Sequence, residues 1–154
     1  MVSQANNPDT AYTVITFRNR KMTATTPETS APSGADQQYR QALAQGKFQI
    51  QRCTACHEAV FYPRMICPHC GAPDLRWESP SGRGTVYSTT VVRRKADAGG
   101  DYNVALIDLE EGVRMMSRVE GISPDAVHIG MAVRAEVRQQ QDQGLVVFVA
   151  QEAA

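Results

Sequence analysis

Four cysteines carry the clearest chemistry in the chain: Cys53-Thr-Ala-Cys56 and, ten residues on, Cys67-Pro-His-Cys70. Two Cys-x-x-Cys knuckles at this separation each present two sulfurs to one ion, the ligand pattern of a tetrahedral four-thiolate Zn²⁺ site. Iron also accepts four thiolates and is the alternative metal. A thioredoxin-type redox pair would need only one knuckle and a βαβ flank, which the sequence lacks. A closed four-sulfur site has no open position for water or substrate, so the metal expected here is structural. His57 and His69 flank the ligands, and with four cysteines available they are read as neighbours of the site rather than ligands.

The rest of the sequence holds no recognisable catalytic set. Ser88, Ser117 and Ser123 lack the Gly-x-Ser-x-Gly setting of an activated serine. His128 stands alone before an expected strand, and Glu110 and Glu111 fall in an expected turn. No cysteine is left over as a nucleophile.

Several elements must position the knuckles. Residues 48–79 form the expected ribbon, with Phe48, Ile50 and Arg52 alternating into the first knuckle and 75–78 returning. So short a segment cannot fold on an apolar core alone. Metal binding, worth roughly 10–16 kcal/mol in zinc-finger peptides, can supply the difference. Before it, residues 33–47 read as a helix, with Ser33 as cap, Asp36 in the first turn and Gly46 as the left-handed stop. Tyr39, Ala42 and Leu43 share one narrow face, so this helix must dock to be stable.

Residues 80–154 read as all-β, with strands expected at 85–94, 104–109, 113–119, 132–138 and 145–150. Turns follow from Glu110-Glu111-Gly112, Ser123-Pro124-Asp125 and Gln141-Asp142-Gln143-Gly144. Five short strands with one longer connection suit a Greek-key barrel of the OB type. The expected architecture is therefore mainly β: an N-terminal helix, a rubredoxin-like zinc ribbon, then a small five-stranded OB-type barrel. Residues 1–32 read as a disordered tail, since 23–35 is Thr, Ala, Pro, Ser, Glu and Gly without apolar periodicity. The short apolar patch at 11–17 is too isolated to read as a strand. Met22 is read as the natural start, with 1–21 as upstream sequence.

Charge narrows the function classes. The 154 residues hold 16 basic and 16 acidic side chains, and residues 79–154 hold 8 and 10. A nucleic-acid binder usually needs a basic face. A single-stranded nucleic-acid-binding role, which zinc ribbons and OB barrels both serve, is the rival reading, and the barrel's acidic balance and few aromatics oppose it. No apolar run reaches membrane-spanning length and no secretory signal is visible, which points to a cytoplasmic chain.

Binding candidates remain. Tyr39, Phe48, Phe61, Tyr62 and Trp77 make up half of the chain's aromatics and cluster around helix and ribbon. A small module cannot bury them all, so part of the set is free to line a groove or an interface. Arg83, in Ser81-Gly82-Arg83-Gly84, and the run Arg93-Arg94-Lys95 are candidate contacts for an anion such as a coenzyme A phosphate, or for an acidic partner.

In combination these segments resemble a known family: the Zn-ribbon/OB-fold proteins associated with acyl-CoA metabolism, catalogued as domain of unknown function thirty-five. The resemblance covers about residues 36–150 and rests on Gln51 to Cys56, Phe61-Tyr62-Pro63-Arg64, Cys67 to Gly71, Ser81 to Ser88 and His128 to Met131. The helix departs from the family, with Tyr39 where members often carry a Phe-Trp type pair. The resemblance implies a non-catalytic accessory subunit of a thiolase-like or lipid-transfer-protein-like enzyme, in a hetero-oligomer acting on a CoA ester by thiolysis, retro-aldol cleavage or acyl transfer. The partner would supply the catalytic cysteine and histidines. Helix and ribbon aromatics (Tyr39, Phe61, Trp77) would dock it, and Arg52, Arg64, Arg83, Arg93 and Arg94 become candidate contacts to the CoA ester or the partner.

Overall fold

The computed structural model describes residues 34–140 and 143–151. The expectations for residues 1–32, for a start at Met22 and for the Ser33 cap lie outside the described residues.

Helix α1 spans Ala35–Ala44, with Gly34 as an N-cap that makes no side-chain bond. Its end follows the sequence. Gly46 takes φ 74°, its N–H donates to the Leu43 carbonyl (2.9 Å), and the Lys47 N–H donates to the Ala42 carbonyl (2.9 Å). This pair of bonds satisfies carbonyls that the last turn leaves open. Ala35, Tyr39 and Leu43 are buried, one turn apart along one face.

Three short antiparallel strands make the ribbon: β1 (Ile50–Cys53), β2 (Ala59–Val60) and β3 (Leu75–Glu78), in the order β2-β1-β3. Its own core is small, with Cys53, Val60 and Cys67 buried and Leu75 packed against them.

The barrel contains β4 (Arg83–Val92), β5 (Tyr102–Leu109), β6 (Arg114–Ser117), β7 (Val119–Glu120), β8 (Ala132–Gln140) and β9 (Gln143–Ala150). The sheet order is β6-β5-β4-β8-β9-β7. Strand period is plainest in β5, where Asn103, Ala105, Ile107 and Leu109 point inward and alternate with more exposed residues.

The expected third strand, 113–119, is two. It breaks at Arg118, and β7 pairs parallel with β9 (Val119 opposite Phe148), which closes the barrel. Buried Asn103 holds the break. Its Nδ2 donates to the Val119 carbonyl (2.7 Å) and its Oδ1 accepts the Val119 N–H (2.8 Å). The five-strand OB layout therefore stands, with one strand bent to serve two neighbours.

The core runs through Val86, Ile107, Val133, Val146 and Phe148 and takes in Tyr39, Leu43, Ile50 and Ala59. Helix, ribbon and barrel thus share one apolar interior.

Candidate metal centre and adjoining groove

The two knuckles are built alike. The His57 N–H donates to the Cys53 carbonyl and the Gly71 N–H to the Cys67 carbonyl, both at 3.0 Å. The Cys53 N–H meets the Glu58 carbonyl (3.0 Å) as the Cys67 N–H meets the Ala72 carbonyl (2.9 Å). Each turn needs a left-handed residue after its second cysteine. Gly71 supplies φ 77° without strain, whereas His57 is held at φ 62°. That conformation, set by the knuckle, accounts for the place of His57 beside the ligands.

These turns bring all four sulfurs within 4.8 Å of one another. Cys53 Sγ lies 3.6 Å from Cys70 Sγ, and Cys56 Sγ lies 3.7 Å from Cys67 Sγ. A tetrahedron with zinc–sulfur bonds of about 2.3 Å has edges of about 3.8 Å, so the donor set fits the ion. The separations are far above the roughly 2.05 Å of a disulfide, and the cysteines are free. The backbone N–H of Cys56 directed at Cys53 lowers that thiol to about 6, while the Cys56 and Cys70 thiols are raised. Among the described residues this is the one cluster of metal-ligating side chains.

Beside the ribbon, α1 and the barrel frame an open groove of about 540 Å³. Tyr39, Leu43, Phe61, Tyr62, Met116 and Leu145 line it, with Arg40 and Arg114 at the rim. Three of the apolar members stay exposed: Tyr62 by 44%, Met116 by 70% and Leu145 by 40%. The aromatic cluster forms one wall. Tyr39 meets Phe61 and Tyr62 edge-on at 5.8 and 5.5 Å and stacks on Trp77 at 6.5 Å. Trp77 Nε1 donates to Gln38 Oε1 (2.8 Å), and the Tyr62 hydroxyl donates to Asp36, which also pairs with Arg40. The bond from Tyr62, then that from Arg40, holds the Asp36 carboxyl below its usual range. Tyr39 itself is buried, and burial pushes its phenol upward.

The candidate arginines separate by their partners. Arg52 is half-buried, clamped to Glu78 by Nε (2.7 and 2.9 Å) and to the His57 carbonyl by Nη1 (2.8 Å). Arg83 pairs with Glu110 (2.8 Å), and Arg93 bridges Asp101 and Asp125. Arg94 lies over the Tyr102 ring at 6.0 Å. Arg64 is exposed, and its backbone is tied to Gln51: Arg64 N–H donates to Gln51 Oε1 (2.7 Å) and Gln51 Nε2 donates to the Arg64 carbonyl (3.0 Å). The structure therefore does not gather the five arginines into one site. Buried Gln51, to which the sequence reading gave no structural role, orients the chain after Phe61-Tyr62.

Comparison with known proteins places these features in context. The model of the family described as "ChsH2, rubredoxin-like zinc ribbon domain" matches residues 40–76, and "ChsH2, C-terminal OB-fold domain" matches residues 77–138. A probable enoyl-CoA hydratase alpha subunit of Thermomonospora curvata is 39% identical over 95 residues, 60% of this chain, but the chain spans only 30% of that protein. A DUF35 domain-containing scaffold protein of Methanothermobacter thermautotrophicus is 33% identical over 97 residues, covering 60% of this chain and 73% of that protein. A chain of the solved structure described as "Ltp2-ChsH2(DUF35) aldolase" is 32% identical with a TM-score of 0.68, over 79% of this chain and 97% of that one.

Proposed function

We propose, from the premise that this chain belongs to the DUF35 family of zinc-ribbon/OB-fold proteins, that it is the non-catalytic subunit of an acyl-CoA enzyme complex. Its catalytic partner is of the thiolase or lipid-transfer-protein type, acting on a CoA ester. The observation that carries the reading is the groove: Tyr62, Met116 and Leu145 are exposed together beside α1, where a partner's apolar side chains can be buried. The likeness to a chain of the Ltp2-ChsH2(DUF35) aldolase supports a catalytic partner.

In this reading Cys53, Cys56, Cys67 and Cys70 hold one structural Zn²⁺, which cross-ties the two knuckles. The chain's own residues do the rest. The segment around α1 acts as the docking helix, and Tyr39, Phe61 and Trp77 fix the angle of α1 against the ribbon. Gln51 sets the Phe61–Arg64 segment along the groove. Arg64, the candidate arginine whose side chain has no partner among the described residues, is the contact offered to a CoA phosphate.

The test is to tag the chain in its native host, identify what copurifies and measure metal on the same sample. A thiolase-like or lipid-transfer-like protein with about one zinc per chain is expected. Recovery without an acyl-CoA enzyme overturns the assignment. For Arg64→Ala, weaker CoA-ester binding by the complex is expected, and unchanged affinity removes that contact.

A further inference from the structure

The four cysteines are not equally sheltered. Cys53 and Cys67 are 0% and 2% exposed, Cys56 is half-buried, and Cys70 is exposed. The residues around Cys70 are open as well: Pro68, His69 and Gly71 are all exposed. By contrast, Cys53 is the buried last residue of β1, and its sulfur accepts backbone bonds from Cys56 and Ala55. An oxidant arriving from water therefore meets one sulfur first. All four sulfurs lie within 4.8 Å of one another, and the close contact recorded for Cys70 is with Cys53, 3.6 Å away on the other knuckle.

We propose that Cys70 is an oxidative modification site, through which a peroxide opens the four-thiolate centre and leaves a Cys53–Cys70 disulfide. Access selects the sulfur that reacts, because metal ligation holds all four as thiolates. In the first step the Cys70 thiolate attacks one peroxide oxygen. A sulfur–oxygen bond forms, the oxygen–oxygen bond breaks, and hydroxide leaves. In the second step the Cys53 thiolate attacks the Cys70 sulfenic sulfur, the sulfur–sulfur bond forms, and a second hydroxide leaves. The two sulfurs give up two electrons in all, and the peroxide takes both.

Geometry favours this pair. The sulfurs must close from 3.6 Å to about 2.05 Å. The flank of Cys70 is open to solvent: a Cβ at Gly71, which sits at φ 77°, would meet nothing within 4 Å. Cys56 and Cys67 then remain as two thiolates, too few to keep a four-coordinate ion. The inference rests on the four-thiolate site and is independent of any partner.

The experiment uses the full-length, zinc-loaded chain and hydrogen peroxide. Zinc release is followed with a colorimetric chelator, sulfenic acid is trapped with a dimedone-type reagent, and disulfides are mapped by mass spectrometry. The first label is expected on Cys70, about tenfold ahead of any other cysteine. One zinc should leave per Cys53–Cys70 disulfide, and thiol reductant with added zinc should restore the starting state. Equal labelling of all four cysteines, a Cys67–Cys70 disulfide, or zinc retained at full occupancy under peroxide overturns the proposal. The wild-type chain supplies every readout, so no cysteine variant has to fold.

Discussion

The seat of α1 on the barrel can be tested at one residue. Gly144, in β9, faces the end of the helix so closely that a Cβ there would collide with the Leu43 carbonyl and lie 2.7 Å from Leu43 Cβ. Both obstacles belong to the helix backbone or its first side-chain atom, so neither can swing away. The same helix end is held by Gln139, whose Nε2 donates to the Leu43 carbonyl at 3.0 Å. Gly144→Ala must therefore lift α1, at about 1–3 kcal/mol for overpacking. It also weakens the Gln139 bond, worth about 1 kcal/mol. The expected loss is about 2–4 kcal/mol in denaturant unfolding, or roughly 6–15 °C in Tm for a domain of this size. Gly46→Ala is the control: Gly46, unlike Gly144, is left-handed, at φ 74°, but nothing lies within 4 Å of its Cβ position. It should cost only about 1 kcal/mol. Zinc content should be unchanged in both variants, while capture of the catalytic partner weakens in Gly144→Ala, because the groove wall moves. A Gly144→Ala chain as stable as Gly46→Ala would falsify the claim that helix and hairpin meet at that residue.

Other expectations are simpler. Removing the metal with a chelator should raise hydrogen exchange at 53–58 and 67–72 while β5 and β8 stay protected, since the ribbon's own core is small, Cys53, Val60 and Cys67 with Cys56, Ala72 and Leu75 beside them; uniform exchange across the chain would contradict it. Replacing His57 (φ 62°) by glycine relieves strain of about 1–2 kcal/mol against about 0.4–1 kcal/mol for a freer unfolded chain. The variant should gain about 0.5–1 kcal/mol in denaturant unfolding. Asp108 is held below its ordinary value of 3.8 by the hydrogen bonds from Arg114 at 2.6 and 3.0 Å. A lowered carboxyl pKa stabilises the fold above the unfolded value and is lost as pH falls through the folded one. Asp108→Asn should therefore cost less than about 1 kcal/mol at pH 7, the pair being half exposed. Wild type and variant should converge as pH falls below the Asp108 titration, and a gap that persists there would mean that the ion pair is not its source.

The parts that were legible in the sequence obey local rules. Metal ligation follows from two knuckles of four residues each. The end of α1 follows from Gly46, and the inward face of β5 follows from a period of two. These features depend on neighbours a few positions away, so spacing alone specifies them. What only the tertiary structure decided lies between distant residues. The break at Arg118 comes from sheet closure, because one strand must pair with β5 on one side and, through Val119, run parallel to Phe148 on the other. Arg52, Arg83 and Arg93 look like free cations in the sequence, yet their carboxylate partners stand 26, 27 and up to 32 residues away. Gly144 reads as a turn residue and is instead the seat of a helix about a hundred positions earlier. A side chain's chemistry is written at its own position, but whether it is spent on the fold or left open to a partner depends on what the folded chain places against it.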